Sequence, residues 1–128
     1  MPLTSCHFAD AFAEIERQDI RVERIYLAQK TFSTLRGGHR LDLFTERRRK
    51  GVTETLMWEA LVGIDERLKP DEFVLCYRRP PKGSTKPAYL LRKNEGKRFR
   101  RRFTLRMLNA LAKKERAADK KREEERGL

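Results

Sequence analysis

Hydrophobic residues fall into short, regularly spaced groups as far as Leu91 and almost disappear after Leu111. Some groups repeat every three or four residues, as on one face of a helix, and others are short runs rich in β-branched and aromatic residues, as in strands. This pattern predicts a compact domain over residues 1–91 and an extension over residues 92–128. A chain of 128 residues has room for one domain and an extension, so we expect no second core.

Helical and strand-like patterns alternate along the first part of the chain. Thr4 or Ser5 can cap a first helix, and Gly37-Gly38 can end a second one. In chain order the pattern predicts a helix over 4–18, a strand over 21–28, a helix over 31–36, a short strand or extended arm near Leu41, Leu43 and Phe44, strands over 58–64, 73–77 and 88–91, and a helix from residue 97 onward. The predicted fold class is therefore α+β: a small sheet of three to five strands and two short helices, followed by a long basic C-terminal helix.

The predicted C-terminal helix has two distinct sides. At about 100° per residue, one side collects apolar residues, which we expect to pack against the domain or a partner. A separate arc carries polar residues, mostly cations about four residues apart, or roughly 6 Å along the axis, a spacing that can follow a phosphate backbone. The apolar side comprises Phe99, Phe103, Met107, Ala110 and Leu111, and the arc comprises Arg98, Arg102, Arg106, Asn109 and Lys113. Residues 113–126 mix both signs of charge, which indicates a solvated helix or a frayed tail.

Charge is distributed very unevenly along the chain. The net charge is +12, of which residues 92–128, with 15 Lys/Arg and 6 Asp/Glu, contribute +9. Such asymmetry favours a polyanionic partner, with nucleic acid as the first candidate and an anionic membrane or an acidic protein as alternatives. A face that only keeps the protein soluble usually mixes signs, whereas residues 97–106 contain six Lys/Arg and no carboxylate. We therefore expect nucleic acid as the partner and no binding to a membrane.

The predicted contacts form a primary and a secondary cluster. The primary cluster is Arg98, Arg100, Arg101, Arg102, Arg106 and Lys113, and the secondary cluster is Arg47, Arg48, Arg49 and Lys50. No base-reading motif accompanies them, so we expect recognition of the backbone, with DNA or RNA and single or double strand left open. Tyr77, Tyr89 and Phe99 lie near this charge and could stack on bases, although we expect each of them mainly in the core.

The sequence contains no convergent set of catalytic or metal-binding residues. His7 and His39 have no familiar ligand spacing, and Cys6 and Cys76 are 70 positions apart without a C-x-x-C pair. We therefore expect no enzyme activity, no catalytic residue, no metal and no cofactor. With no signal peptide and no apolar run near 18 residues, we expect a cytoplasmic protein. One enzymatic alternative stays open, a small metal-dependent nuclease using carboxylates among Glu54, Glu59, Asp65, Glu66, Asp71 and Glu72.

The order of features over residues 4–78 resembles the axial-domain portion of tailed-phage major capsid proteins. The resemblance is carried by the helix with Phe8 and Phe12, by the segments VERIYL, TFSTLR and LMWEALV, and by LKPDEFVL. It implies an α+β fold and a phage or mobile-element origin, and it adds a second alternative, a virion component whose basic helix faces the genome. The chain departs from that family at Glu59, where glycine is usual, it lacks the long spine helix and extended arm, and residues 92–128 have no counterpart. Protein partners or self-assembly through the α+β domain are compatible with this alternative.

Overall fold

A computed structural model of the chain describes residues 3–37, 43–91 and 95–125. Within them the fold is α+β, with three helices beside one mixed sheet. The helices are α1 (Ser5–Glu16), α2 (Gln29–Gly37) and α3 (Leu105–Glu125), and a 3-10 turn spans Ala88–Leu90. The strands are β1 (Val22–Leu27), β2 (Thr45–Arg49), β3 (Val52–Met57), β4 (Ala60–Ile64), β5 (Glu72–Arg79) and β6 (Lys97–Thr104).

The six strands form one sheet in the order β2-β3-β4-β1-β5-β6. β1 pairs parallel with β4, and every other pairing is antiparallel. Two tight hairpins join β2 to β3 and β3 to β4 through two-residue turns, Lys50-Gly51 and Trp58-Glu59. All four turn residues have positive φ, as the turn favoured by the twist of antiparallel strands requires.

The core lies between one face of the sheet and the three helices. Phe8, Phe12 and Ile15 of α1 and Leu108 of α3 are buried in a single hydrophobic cluster with the inward residues of the strands. Phe73 lies at its centre, with ring centroids 4.7 Å from Phe8 and 5.6 Å from Phe103. Phe32 and Leu35 of α2 pack against the same cluster. Because all described helices pack on this face, none of them covers the opposite face of the sheet.

The first half of the sequence prediction is largely confirmed. α1, β1 and α2 lie where the pattern put them, and Thr4 caps α1, with its backbone N–H donating to His7 Nδ1 at 2.9 Å. The predicted count of three to five strands is wrong, because the charged segment 45–49 and the following segment 52–57 form β2 and β3, which gives six strands. Residues 88–91 form a 3-10 turn rather than a strand, and Trp58 lies in a turn rather than in β4. Leu41, His39 and Gly38 lie outside the described residues.

The main correction concerns the segment 97–104, which is a strand and not the start of the C-terminal helix. It pairs with β5 along its whole length, from Arg79↔Lys97 to Glu72↔Thr104. The helix begins at Leu105, where the Thr104 hydroxyl accepts a hydrogen bond from the Met107 N–H at 3.2 Å. The sheet of the domain therefore includes residues that the pattern had put in the extension, and the predicted helical arc through Arg98, Arg102 and Arg106 does not exist.

Candidate nucleic-acid interface

The face of the sheet away from the helices, called here the open face, is rich in arginine. Side chains alternate between the two faces of a strand, so β6 turns Phe99 and Phe103 towards the core and its even-numbered arginines outwards. Register extends this face across the sheet, because residues directly paired on neighbouring strands point the same way. Among the residues that the structure describes, the open face carries seven arginines, namely Arg24, Arg47, Arg49, Arg78, Arg98, Arg100 and Arg102.

Three of these arginines are neutralised by carboxylates of the same face. Arg47 pairs with Glu54 at 3.2 Å, and Arg102 pairs with Glu72 at 3.5 Å. The third, Arg78, is only 4% exposed and pairs through Nε with Glu23 at 3.2 Å. Within the described residues, the remaining four, Arg24, Arg49, Arg98 and Arg100, have no carboxylate oxygen within 4.0 Å. Ion pairs among the described residues therefore leave an excess of positive charge on the open face, although the charge of Arg100 also reaches the Asp65 carboxyl, whose pKa it helps to lower.

Arg24, Cys76 and Arg100 form a row across three neighbouring strands. Cys76 of β5 is directly paired with Arg24 on one side and with Arg100 on the other. Partial burial raises the pKa of the Cys76 thiol, while the charge of Arg100 and a hydrogen bond to it act in the opposite direction. Neighbouring strands are about 4.8 Å apart, so the Cα atoms of the two arginines are separated by roughly 10 Å. Arg98, next but one to Arg100 along β6, extends this cluster by about 7 Å.

Tyr26 is the aromatic residue at the centre of the open face. It belongs to β1 and is paired with Gly63 of β4, whose missing side chain leaves room for the ring. A β-carbon at position 63 would lie 2.8 Å from Tyr26 Cε1, which shows that the ring leans over this glycine. The guanidinium carbon of Arg100 lies 5.3 Å from the centre of the same ring, within the range of a cation–π contact.

A cleft of about 420 Å³ opens beside Tyr26 and Arg100. Its other lining residues are Ile64 and the turn residues Asp65, Glu66 and Arg67. Arg67 donates through Nε to Asp65 Oδ1 at 3.1 Å, and this contact lowers the pKa of the Asp65 carboxyl. The cleft thus combines an aromatic ring, a guanidinium and carboxylate oxygens within one opening.

The predicted site residues are divided between faces and elements. Arg98, Arg100 and Arg102 share the open face of β6, whereas Arg101 lies on the other side of that strand with its guanidinium 4.8 Å from the Phe103 ring centre. Arg106 and Lys113 are exposed on α3.

The secondary cluster lies at the opposite edge of the sheet from the primary one. Arg47 and Arg49 share the open face of β2, Arg48 points to the other side, and Lys50 is in the β2–β3 turn. Since β2 and β6 are five strand spacings apart, about 24 Å separates the two clusters. Only their strand residues Arg47, Arg49, Arg98, Arg100 and Arg102 share the open face, and these do not form one compact site.

Arg24 and Tyr26 belong to this face and were not among the predicted contacts. Ile25 and Leu27 are fully buried while Arg24 is exposed and Tyr26 half-buried, an alternation that is already visible in the sequence of the predicted strand 21–28. Tyr77, by contrast, is 6% exposed and packs on Phe99 at 5.8 Å between ring centres, as expected for the core.

Neither a metal cluster nor a membrane-spanning helix occurs in the described residues. No three His, Cys, Asp or Glu side chains among them lie close enough together to hold a metal ion. None of the helices in the described part of the chain has the length and apolar character needed to span a bilayer.

Comparison of the chain with protein-family models, with curated proteins and with solved structures finds no match. The resemblance of residues 4–78 to phage capsid axial domains accordingly stays a prediction.

Proposed function

We propose that this protein is a non-enzymatic nucleic-acid-binding protein that contacts the phosphate backbone through the open face of its sheet. The observation that carries the proposal is the cluster of Arg24, Arg98 and Arg100, three exposed cations without a carboxylate partner among the described residues. Guanidinium groups present several N–H donors in a plane and bind phosphate oxygens in pairs. The contact surface differs from the helix predicted by the sequence pattern, but the chemistry of recognition is the same.

Protection of sheet edges is the competing explanation for the arginines of β6. An edge strand with charged side chains is less able to pair with another copy, and β2 and β6 are the two edges of this sheet. That explanation does not extend to Arg24, because β1 is an interior strand with partners on both sides. The presence of an uncompensated cation in the middle of the sheet therefore supports an external anion.

The test replaces Arg24, Arg98 and Arg100 together by glutamine, which removes the charge and keeps most of the side-chain volume. Binding is measured by fluorescence anisotropy with labelled single-stranded and duplex oligonucleotides at several salt concentrations. We expect at least a tenfold loss of affinity. With three phosphate contacts removed, the slope of log K against log salt should become less steep by about 2 for a single strand.

The matched control removes the same charge from α3, with Lys114, Arg116 and Lys120, none of them a predicted contact, replaced by glutamine. All three side chains are exposed. A general attraction to the positive chain predicts equal losses for the two triple variants, whereas a site on the sheet predicts a large loss only for the first. If wild-type protein binds no oligonucleotide at low salt, or if the sheet variant binds as tightly as wild type, the proposal is wrong. Thermal unfolding is used to check that both variants are folded.

The virion-component and nuclease alternatives stay predictions, and no contact on the described residues favours either over backbone binding.

A further inference from the structure

The open face offers a base-stacking surface as well as positive charge. Tyr26 lies on the same face as the arginine cluster and beside the cleft, with its ring over Gly63 and close to the Arg100 guanidinium. Most tyrosines that only fill a core are enclosed by apolar groups. Tyr26 instead is half-buried and has a charged group as its neighbour on the open side.

We infer that the ligand class of this site is single-stranded nucleic acid, with one unpaired base stacked at Tyr26 and the adjoining phosphates on Arg100 and Arg24. This inference rests on the proposed function and adds the form of nucleic acid to it. A planar aromatic ring beside guanidinium groups is the combination by which proteins hold single strands, because every base has a face that can stack. The bases of a duplex are already stacked on each other and cannot reach a ring that leans over the sheet.

The dimensions of the face fit this arrangement. Arg24 precedes Tyr26 by two residues on β1, so their Cα atoms are about 7 Å apart on the same face. Arg100 reaches across β5 from the other side and ends 5.3 Å from the Tyr26 ring centre. Because the Arg100 guanidinium already lies against the open side of the ring, a base that stacks on Tyr26 must displace that guanidinium, which is then free to bind an adjoining phosphate or to stack on the base plane. The cleft beside the ring has a volume of about 420 Å³, which provides room for the base.

Gly63 provides a second, independent way to perturb the Tyr26 ring by mutation. Because a β-carbon there would lie 2.8 and 2.9 Å from two ring atoms, any side chain at position 63 must push Tyr26 out of its place. Gly63→Ala therefore perturbs the stacking surface without changing the charge of the face or removing the ring.

The decisive experiment uses three probes of equal length: a mixed-sequence single strand, the same sequence as a duplex, and a single strand of abasic sites with an intact phosphate backbone. Each is titrated with full-length wild type and with Tyr26→Leu, which keeps apolar packing over Gly63. Tyr26→Phe is the matched control, because it retains the ring. We expect wild type to bind the base-containing single strand at least fivefold more tightly than the other two probes. Tyr26→Leu should lose about five- to a hundredfold on that probe, the range for one stacked base.

The outcomes separate this inference from the proposed function. Equal affinity for the abasic and base-containing strands, or an unchanged affinity of Tyr26→Leu, overturns base stacking and leaves backbone binding standing. Tighter binding to the duplex than to the single strand at matched salt also overturns base stacking and leaves backbone binding standing. Absence of binding to all three probes removes the proposed function itself. If Tyr26→Leu does not fold, Gly63→Ala and Tyr26→Phe decide the matter: the first should weaken binding of the base-containing strand and the second should preserve it.

Discussion

Phe103 gives the sharpest test of the strand that builds the open face. In a helix running from residue 97, Phe103 and Met107 would be neighbours on one apolar face and would contribute similarly to stability. In the structure Phe103 is fully buried on β6 and its ring stacks on Phe73 at 5.6 Å, whereas Met107 is 40% exposed on the first turn of α3. The two arrangements therefore predict different costs for the same kind of truncation.

The expected magnitudes follow from burial. Deleting a fully buried phenylalanine ring typically destabilises a protein by about 3–5 kcal/mol, because the loss of apolar packing adds to the cost of the cavity. Met107→Ala removes a side chain that is 40% exposed and lies outside the core cluster, so it should cost much less, about 1 kcal/mol. Since small domains have total stabilities of about 5–15 kcal/mol, Phe103→Leu, with an expected cost of about 1–2 kcal/mol, serves as a variant that stays folded.

The assay is equilibrium unfolding in urea, followed by circular dichroism, with the free energy of unfolding extrapolated to water for wild type, Phe103→Ala, Phe103→Leu and Met107→Ala. Equal destabilisation by the two alanine variants, or a Phe103→Ala cost below about 1 kcal/mol, would refute the placement of residues 97–104 in the sheet. The open face would then lose Arg98, Arg100 and Arg102, and both proposals would fail with it.

Two further predictions concern the end of α3 and the thiols. Removal of residues 114–128 takes away six Lys/Arg and five Asp/Glu, so the net charge changes by only one, and within the described residues it breaks the surface ion pair Arg17–Glu115 at 3.4 Å. We expect a stability change below about 1 kcal/mol and an oligonucleotide affinity within twofold of wild type, and a tenfold loss would contradict a solvated role for this segment. Burial raises the pKa of the Cys76 thiol above its ordinary value of 9.0, so iodoacetamide at pH 8 should modify exposed Cys6 faster than Cys76. The stability linked to this raised pKa is complete below pH 9.0 and declines as the pH rises through the folded value. Bound oligonucleotide should slow modification of Cys76 and leave Cys6 unchanged, as read by mass spectrometry, and equal protection of both thiols would contradict binding on the open face.

The sequence was sufficient to predict a helix or strand where its hydrophobic periodicity was strong. Phe8, Phe12 and Ile15 have the spacing of one helix face, so a helix brings all three to the core. The short segment around Ile25 is rich in β-branched and aromatic residues, which favours a strand. These elements fix one face of the sheet as the core. The α+β class followed from them because each has a single apolar face to bury.

The arginine-rich segment was misread because its apolar spacing satisfies two periods. Phe99 and Phe103 are four residues apart, which is one turn of a helix and also two repeats of a strand. The intervening position 101 is an arginine, so the strand alternation is hidden. Its guanidinium 4.8 Å from the Phe103 ring centre shows how a cation can occupy the core side of an edge strand.

β2 and β3 were missed for a related reason. Every residue of β2 is exposed, and its sequence, TERRR, contains no apolar residue that would reveal a strand. Edge strands are often charged because charge discourages pairing with other chains. The second hairpin turn also gives a weak signal, because Trp58 and Glu59 adopt positive φ without a glycine.

The irregularity at the start of β1 has a consequence for the whole face. Val22 is paired with Tyr77 and Arg24 with Cys76, so Glu23 is an extra residue that no residue of β5 opposes. Because of it, Val22 enters the core while Arg24 points the other way, which a regular two-residue repeat would forbid. The same extra residue supplies the carboxylate that pairs with Arg78, whose side chain is only 4% exposed. Arg78 and Arg98 are directly opposed in register, yet the inserted Glu23 gives Arg78 a carboxylate, whereas Arg98 has none within 4.0 Å among the described residues.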